Sequence, residues 1–125
     1  MAETSHEIVD NFCKAWSRRN LDEILGYFTD DAEYQNVPMG PGAKGKDAIK
    51  AVINSFLPMA KGLEFKILRS ASTGNTVFNE RVDIFDLGGG KKIELPVAGV
   101  FEVRGGKIAL WRDYFDLAMW TKQMS

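Results

Sequence analysis

The chain has 125 residues, of which 45% are hydrophobic and 26% charged, and its formal net charge is −1. This size and composition predict one globular domain over residues 1–125 and exclude a disordered chain or a two-domain enzyme. The balanced charge predicts no nucleic-acid partner, and no segment approaches the ~20 apolar residues that a membrane span needs.

Two short amphipathic helices are predicted at the start of the chain. Thr4 and Glu7 have the spacing of a capping box, which begins a helix whose apolar residues recur at helical spacing. Asn20 is predicted to begin the second helix, and the pair Asp30-Asp31 to end it. The apolar faces are formed by Ile8, Phe12 and Trp16 in the first helix, and by Leu21, Ile24, Leu25 and Phe28 in the second.

A strand and a third helix follow. The strand is predicted over residues 32–37, and Pro38 and the glycine-rich loop 40–45 end it. The helix begins near Asp47 and ends near Leu57, because a helix disfavours the residue before a proline such as Pro58.

The second half of the chain is predicted to be β. Four strands, over residues 63–71, 76–87, 92–103 and 107–115, are separated by short turn clusters, which indicates hairpins and an antiparallel sheet. Residues 117–124 form a closing helix or a tail. Helices followed by a hairpin-connected sheet predict an α+β fold, and a strongly curved sheet with three or four helices would form a cone around a central pocket.

The single cysteine and the polar start of the chain both favour a reducing compartment. Cys13 has no partner for an internal disulfide, and its place in a helical pattern predicts a small buried hydrophobe rather than a nucleophile. The start MAETSHEIVD does not have the apolar run of a signal peptide. A cytoplasmic location is therefore predicted.

Three strands carry polar residues on faces that alternation predicts to be buried. One face of the 76–87 strand contains Arg81 and Asp83, and the last strand places Asp113 among aromatic residues. Burying an unpaired carboxylate costs free energy, so a partner such as Arg81 is expected. The residues that share these faces are Ala32, Tyr34 and Asn36 in the first strand; Val77, Asn79, Arg81, Asp83 and Phe85 in the 76–87 strand; and Ala109, Trp111, Asp113 and Phe115 in the last strand.

Each of these features alone is more typical of an ordinary salt bridge than of a site, but together they predict one. Other motifs are weaker. His6 is the only histidine and there is no Cys/His ligand spacing, so no metal site is predicted. The run Gly88-Gly89-Gly90 lacks the spacing of a phosphate-binding loop and predicts a hairpin.

The segments 34–36, 80–83 and 111–116 resemble, in order and context, those of the limonene epoxide hydrolase family. The resemblance covers nearly the whole chain and includes the run Gly99-Val100-Phe101. It implies a curved, cone-like α+β fold shared with ketosteroid isomerase, a homodimer, and hydrolysis of epoxides to vicinal diols without a cofactor. Carried over by position, it implies Asp83 as general acid and Asp113 as general base. The other implied roles are Arg81 between the carboxyls, and Tyr34 with Asn36 holding water.

The acid/base residues alternate with apolar ones, which predicts a small lipophilic epoxide as the substrate. The residues expected to contact it are Val77, Phe85, Trp111 and Phe115. Two other functions remain open. An isomerase or cyclase of the same fold would use one carboxylate to move a proton next to a carbonyl. A non-catalytic carrier would use the polar residues only to anchor a small hydrophobic ligand.

Overall fold

A computed structural model describes residues 3–125 of the chain. Within them the α-helices are α1 (Ser5–Ala15), α2 (Leu21–Leu25), α3 (Lys46–Asn54) and α4 (Leu117–Met124). The strands are β1 (Phe28–Asn36), β2 (Ala43–Lys44), β3 (Gly62–Thr73), β4 (Thr76–Gly88), β5 (Lys91–Arg104) and β6 (Lys107–Tyr114). Single 3₁₀ turns occur at Trp16–Arg18, Val37–Met39 and Leu57–Met59.

The strands form one mixed sheet in the order β2-β1-β6-β5-β4-β3. Neighbouring strands are antiparallel except for β1 and β6, which are parallel. The tight turns that join β3 to β4, β4 to β5 and β5 to β6 contain glycines with positive φ, such as Gly74 and Gly105, a conformation that other residues adopt at a cost. The predicted α+β architecture is confirmed.

The helices begin and pack as the sequence predicts at the amino-terminal end. Thr4 and Glu7 form both hydrogen bonds of the capping box that begins α1. The buried face of α1 packs on β3 and β4, and Phe12 makes an edge-on contact with Trp111 at 5.0 Å between ring centroids. Among residues 3–125, no helix is both long enough and apolar enough to cross a membrane.

The boundary between α2 and β1 differs from the prediction. The second helix ends at Leu25, and Phe28 is the first residue of β1 instead of part of the helical face. Tertiary packing explains the difference, because Phe28 pairs with Ile108 of β6 and is fully buried against Phe12. The pair Asp30-Asp31 therefore lies within the strand, where both side chains are exposed.

A β-bulge in β6 changes which residue enters the core. The register with β5 moves by one residue between Val103, which pairs with Ile108, and Glu102, which pairs with Leu110. Ala109 is the extra residue, and it does not share the buried face of Trp111 as alternation predicts. Ile108 is fully buried instead.

Candidate active site

The inner face of β4 carries the polar centre of the molecule. Its buried residues alternate as predicted, with the outward residues between them partly or fully exposed. The buried set is Val77, Asn79, Arg81, Asp83 and Phe85. Three consecutive inward positions are therefore polar, beneath helix α1, in a part of the sheet where apolar residues are the norm.

Arg81 is fully buried and joins two carboxyl groups. Its Nε and Nη2 donate to the two oxygens of Asp83, each at 3.0 Å. Its Nη1 and Nη2 donate to the two oxygens of Asp113, at 3.2 and 2.8 Å. This double fork requires a guanidinium, because an ammonium group cannot form two planar pairs at once.

The two carboxyls differ in how many donors they receive. The indole Nε1 of Trp111 donates to Asp113 at 2.6 Å, in addition to the two bonds from Arg81. Among residues 3–125, Asp83 receives side-chain hydrogen bonds only from Arg81. Donors stabilise negative charge on a carboxyl, so the two carboxyls of the cluster are not equivalent.

Burial raises the pKa of Asp83 to about 6, against the lowering effect of Arg81. One guanidinium cannot neutralise two carboxylates. A single proton retained on Asp83 leaves the cluster of Arg81, Asp83 and Asp113 without net charge. A buried cluster without net charge has the lower free energy, because burial penalises charge.

Tyr34 and Asn36 lie on β1 beside the carboxyls. Asn36 pairs with Asp113 across the two parallel strands, and its Nδ2 donates to Tyr34 Oη at 3.1 Å. The Tyr34 ring stacks on Trp111 at 4.2 Å between centroids, which fixes its position. Burial, with the nearby Asp113 charge, raises the pKa of Tyr34, so its hydroxyl remains a neutral donor.

Gly99 of β5 makes room for the guanidinium. It pairs with Asn79 on one side and with Asp113 on the other. A Cβ at this position would lie 2.5 Å from Arg81 Nη1 and 2.9 Å from Asp113 Oδ1, closer than non-bonded atoms approach. The missing side chain is therefore a condition for the bridge between the carboxyls.

The cluster forms one end of a cavity of about 320 Å³. Polar atoms enter it from Tyr34, Asn36, Ser55, Asp83 and Asp113, and the remaining walls are apolar. The apolar lining is formed by Met39, Val52, Phe56, Met59, Phe65, Phe85, Leu95, Val97, Phe115, Trp120 and Met124. Within the described part of the chain, no lysine, arginine or histidine lines this cavity.

Two of the four residues predicted to contact substrate line the cavity and two do not. Phe85 and Phe115 are part of its wall. Val77 is fully buried in the core, two residues beyond Asn79 along the inner face of β4. Trp111 is buried behind the ring of Tyr34, where it contacts Asp113. Both lie on strand faces that carry polar site residues, but neither lines the cavity.

Several wall residues were not predicted from the sequence. Leu95 and Val97 alternate on β5 and pair with Asp83 and Arg81, so they could be found once the hairpin register is known. Trp120 and Met124 are four residues apart on α4, which indicates one helical face. Val52 and Phe56 have the same spacing at the end of α3 and just beyond it, whereas Met59 lies in the following 3₁₀ turn.

The last helix forms one wall of the cavity and is attached to β5 by polar contacts. The Gln123 side chain accepts from the Glu94 backbone N–H and donates to the Glu94 carbonyl, both at 2.9 Å. Lys91 Nζ donates to the Met124 carbonyl at 2.9 Å. No residue of α4 is fully buried, although Trp120 packs edge-on against Phe85.

Fold and site together define an α+β cone that holds a pair of carboxyl groups, bridged by one arginine, at the end of an apolar cavity. Among the described residues, no group of three or more His, Cys, Asp or Glu side chains could hold a metal ion.

Comparison with known proteins places this chain in a family. The sequence matches the limonene-1,2-epoxide hydrolase catalytic domain over residues 3–125. It is 34% identical over 109 residues to Epoxide hydrolase EphG of Mycobacterium tuberculosis. These 109 residues cover 87% of this chain and 71% of that protein. The chain belongs to the limonene-1,2-epoxide hydrolase family and is an enzyme of the epoxide hydrolase class.

One solved structure agrees with this assignment, and a second shares the fold. An LEH-like epoxide hydrolase of M. tuberculosis superposes with a TM-score of 0.80 at 31% identity, covering 95% of this chain and 87% of that chain. A putative polyketide cyclase of Xanthomonas campestris pv. campestris superposes with a TM-score of 0.82 at 22% identity, covering 97% and 96%. The second likeness shows the fold alone.

Proposed function

We propose that the protein hydrolyses a small lipophilic epoxide to a vicinal diol in one step, without a cofactor. The observation that carries this proposal is the pair of unequal carboxyls on Arg81 at the end of an apolar cavity. An epoxide opens most easily when its oxygen receives a proton while water attacks carbon from the opposite side. The reaction therefore needs one carboxylic acid and one carboxylate near the same substrate.

In the proposed step, Asp113 removes a proton from water as the water oxygen forms a bond to an epoxide carbon. The bond between that carbon and the ring oxygen breaks, and the ring oxygen takes the proton of Asp83. Tyr34 and Asn36 orient the water, since Asn36 is paired with Asp113 across the sheet. Arg81 does not line the cavity and acts through the two carboxyls, so we assign it a positioning role.

The apolar walls support a lipophilic substrate. A carboxylate or phosphate on the substrate would lose its hydration in the cavity without meeting a basic side chain of the described residues. Apolar groups instead gain about 0.8 kcal/mol for each methylene that leaves water. The cavity of about 320 Å³ is within the usual range for sites that enclose a small molecule.

A single-turnover experiment tests the proposed chemistry. Enzyme in excess over a cyclic or linear epoxide is mixed in water labelled with heavy oxygen, and the diol is analysed. We expect one labelled oxygen, with inversion at the attacked carbon. An unlabelled diol in the first turnover would indicate an ester intermediate with an aspartate. A rearranged carbonyl product would indicate an isomerase, and saturable binding without product would indicate a carrier.

We also propose a cytoplasmic homodimer of single domains that span residues 1–125. The family match over residues 3–125 supports one domain, and a free, buried Cys13 fits a reducing compartment.

The outer face of the sheet supports the dimer. It exposes Phe78, Leu68 and Tyr114, next to Glu80 and Arg69 of opposite charge, and such a surface suits a second copy of the same face. Sedimentation tests this, because Phe78→Glu should convert a dimer to a monomer; a wild-type monomer would contradict it.

A further inference from the structure

Asn79 is a buried polar residue to which the proposed reaction assigns no role. It lies on the inner face of β4, two residues before Arg81, with 4% of its surface exposed. Its Oδ1 accepts from Arg81 Nη1 at 3.0 Å. Asn79 does not line the cavity and so cannot contact a substrate there.

Helix α1 fixes the orientation of the Asn79 amide. The Nδ2 group donates to Cys13 Sγ at 3.7 Å, on the side away from the guanidinium. The opposite orientation would point the amide N–H groups at an N–H of Arg81, which has no lone pair to accept them. Cys13 and Arg81 therefore select the same orientation, with the amide oxygen towards Arg81.

This contact completes the hydrogen bonding of Arg81. The five N–H groups of the guanidinium have five acceptors: Asp83 takes two, Asp113 takes two, and Asn79 takes one. A buried guanidinium without an acceptor for one N–H would lose that bond and tend to rotate towards a better partner. With Asn79 in place, the two forks to the carboxyls are held at once.

The charge of this acceptor matters as much as its position. Burial raises the pKa of Cys13 to about 12, and it also raises the pKa of Tyr34, so the groups from α1 and β1 that face the cluster are neutral. The neighbouring positions on β3 and β5 are Phe65 and Gly99, which carry no charge. A neutral amide leaves Arg81 shared between two carboxyls only.

We propose that Asn79 is a positioning residue for the hydrolysis. Its neutral oxygen holds the Arg81 guanidinium between Asp83 and Asp113 without adding a third negative charge to the cluster. This inference rests on the proposed function for its catalytic meaning, but its physical content can be measured without substrate.

The test is a pair of near-isosteric variants, Asn79→Asp and Asn79→Leu. The first keeps an oxygen acceptor and adds a charge, and the second removes the acceptor. Asn54→Asp is the matched control, since Asn54 is exposed at the end of α3 and its change alters the net charge equally. The Asp83 carboxyl is titrated by carbon-13 NMR, and the pH profile of kcat/KM is recorded for an epoxide.

We expect Asn79→Asp to move the Asp83 titration, and the alkaline limb of kcat/KM, upward by about one pH unit or more. We expect Asn79→Leu to lower kcat by about tenfold or more with little change in KM, the size of a lost hydrogen bond to a charged group. A titration that moves no further than in Asn54→Asp, or an Asn79→Leu variant with wild-type kcat, would overturn the inference.

Two further measurements separate a failure of this inference from misfolding of the variants and from a failure of the proposed function. If the Asn79 variants do not fold, the wild-type Asn79 side-chain amide signals are followed by NMR. They should titrate with the midpoint of Asp83, and signals insensitive to pH between 4 and 8 would overturn the inference. If the wild-type enzyme forms no diol while Asn79→Asp moves the Asp83 titration, the proposed function fails but the positioning by Asn79 stands.

Discussion

At the scale of single residues, the site depends on making two aspartates different. Both contact the same guanidinium, but Asp113 also receives the Trp111 indole N–H, while Asp83 keeps fewer donors in an equally buried place. In the proposed mechanism, this difference in hydrogen bonding separates the acid from the base. The proposed mechanism therefore depends on groups, such as Arg81 and Trp111, that do not line the cavity.

Loss of either carboxyl should stop the proposed reaction. Asp83→Asn and Asp113→Asn each remove one proton-transfer group, and we expect each to lower kcat by on the order of a hundredfold or more. Asp86→Asn is the control, because Asp86 lies on the same strand and its side chain accepts from the Gly88 backbone N–H, outside the cluster of Arg81, Asp83 and Asp113. Steady-state kinetics on folded variants check this. More than about a tenth of wild-type kcat in either variant would remove that aspartate from the mechanism.

Arg81→Lys should be damaging although it keeps the charge. Lysine cannot form two planar forks, so we expect the separation of the two carboxyls to be lost and kcat/KM to fall by about tenfold or more. Arg69→Lys is a matched control on the neighbouring strand, since Arg69 forms an exposed pair with Glu80. Steady-state kinetics of both variants test this prediction. Equal kcat/KM values for Arg81→Lys and Arg69→Lys would contradict the bridging role of Arg81.

The raised pKa of Asp83 predicts the direction of the pH dependence. Asp83 must carry a proton to act as an acid, and its pKa is about 6 in the folded protein. We therefore expect kcat/KM to decrease by about tenfold per pH unit well above that value. A pH profile at substrate concentrations below KM measures this. A kcat/KM that rises between pH 6 and 8 would contradict the assignment of Asp83 as the acid.

At the scale of elements, the polar attachment of α4 to β5 rests on a few contacts. Beyond the end of β6, the β5 backbone at Glu94 has no strand on that side, and the Gln123 amide takes the place of one. The wall formed by Trp120 and Met124 thus depends on a few polar contacts.

Gln123→Ala should loosen this wall while leaving the carboxyls in place. We expect KM for a bulky lipophilic epoxide to rise several-fold, kcat to change less, and hydrogen exchange in α4 to accelerate. Gln35→Ala is a control on β1, where the Gln35 side chain donates to the Gly40 carbonyl. Unchanged exchange in α4 would show that the Gln123 contact does not hold the helix.

The sequence predicts those features of the fold that nearby residues determine, and it does not predict those that depend on strand pairing. The buried polar face of β4 follows from alternation, and the turn glycines locate the hairpins, so both were predictable. The end of α2 depends on pairing with a distant strand and the bulge at Ala109 on the register of the β5–β6 hairpin, and periodicity contains neither. The support of Arg81 by Asn79 and the space at Gly99 likewise appear only when three strands are aligned.

At the scale of the whole molecule, helices on the inner face of an open sheet create a cavity with all its charge at one end. Apolar residues from β3, β4, β5, α3 and α4 surround the rest. Selectivity between substrates of similar shape should accordingly come from hydration and size rather than from directed polar contacts.

A pair of epoxides of similar size tests this distribution of charge. We expect a neutral cyclohexene-type epoxide to have a higher kcat/KM than an epoxide that carries a carboxylate, because the charged group would be dehydrated without a partner. Raising the salt concentration should not reverse the order, since exposed basic residues act only through screened attraction. A higher kcat/KM for the charged compound would mean that a basic side chain faces the cavity.

The shared guanidinium also has a consequence for what happens between turnovers. In the proposed step Asp83 gives up its proton and Asp113 gains one, so the enzyme ends each cycle with its proton on the wrong carboxyl. Arg81 cannot return it, because a guanidinium stays protonated and all five of its N–H groups are occupied. The proton has to travel through the cavity after the diol has left, along water that has entered in its place. In the proposed mechanism, the refilling of the cavity with water therefore belongs to the catalytic cycle as much as the ring opening does.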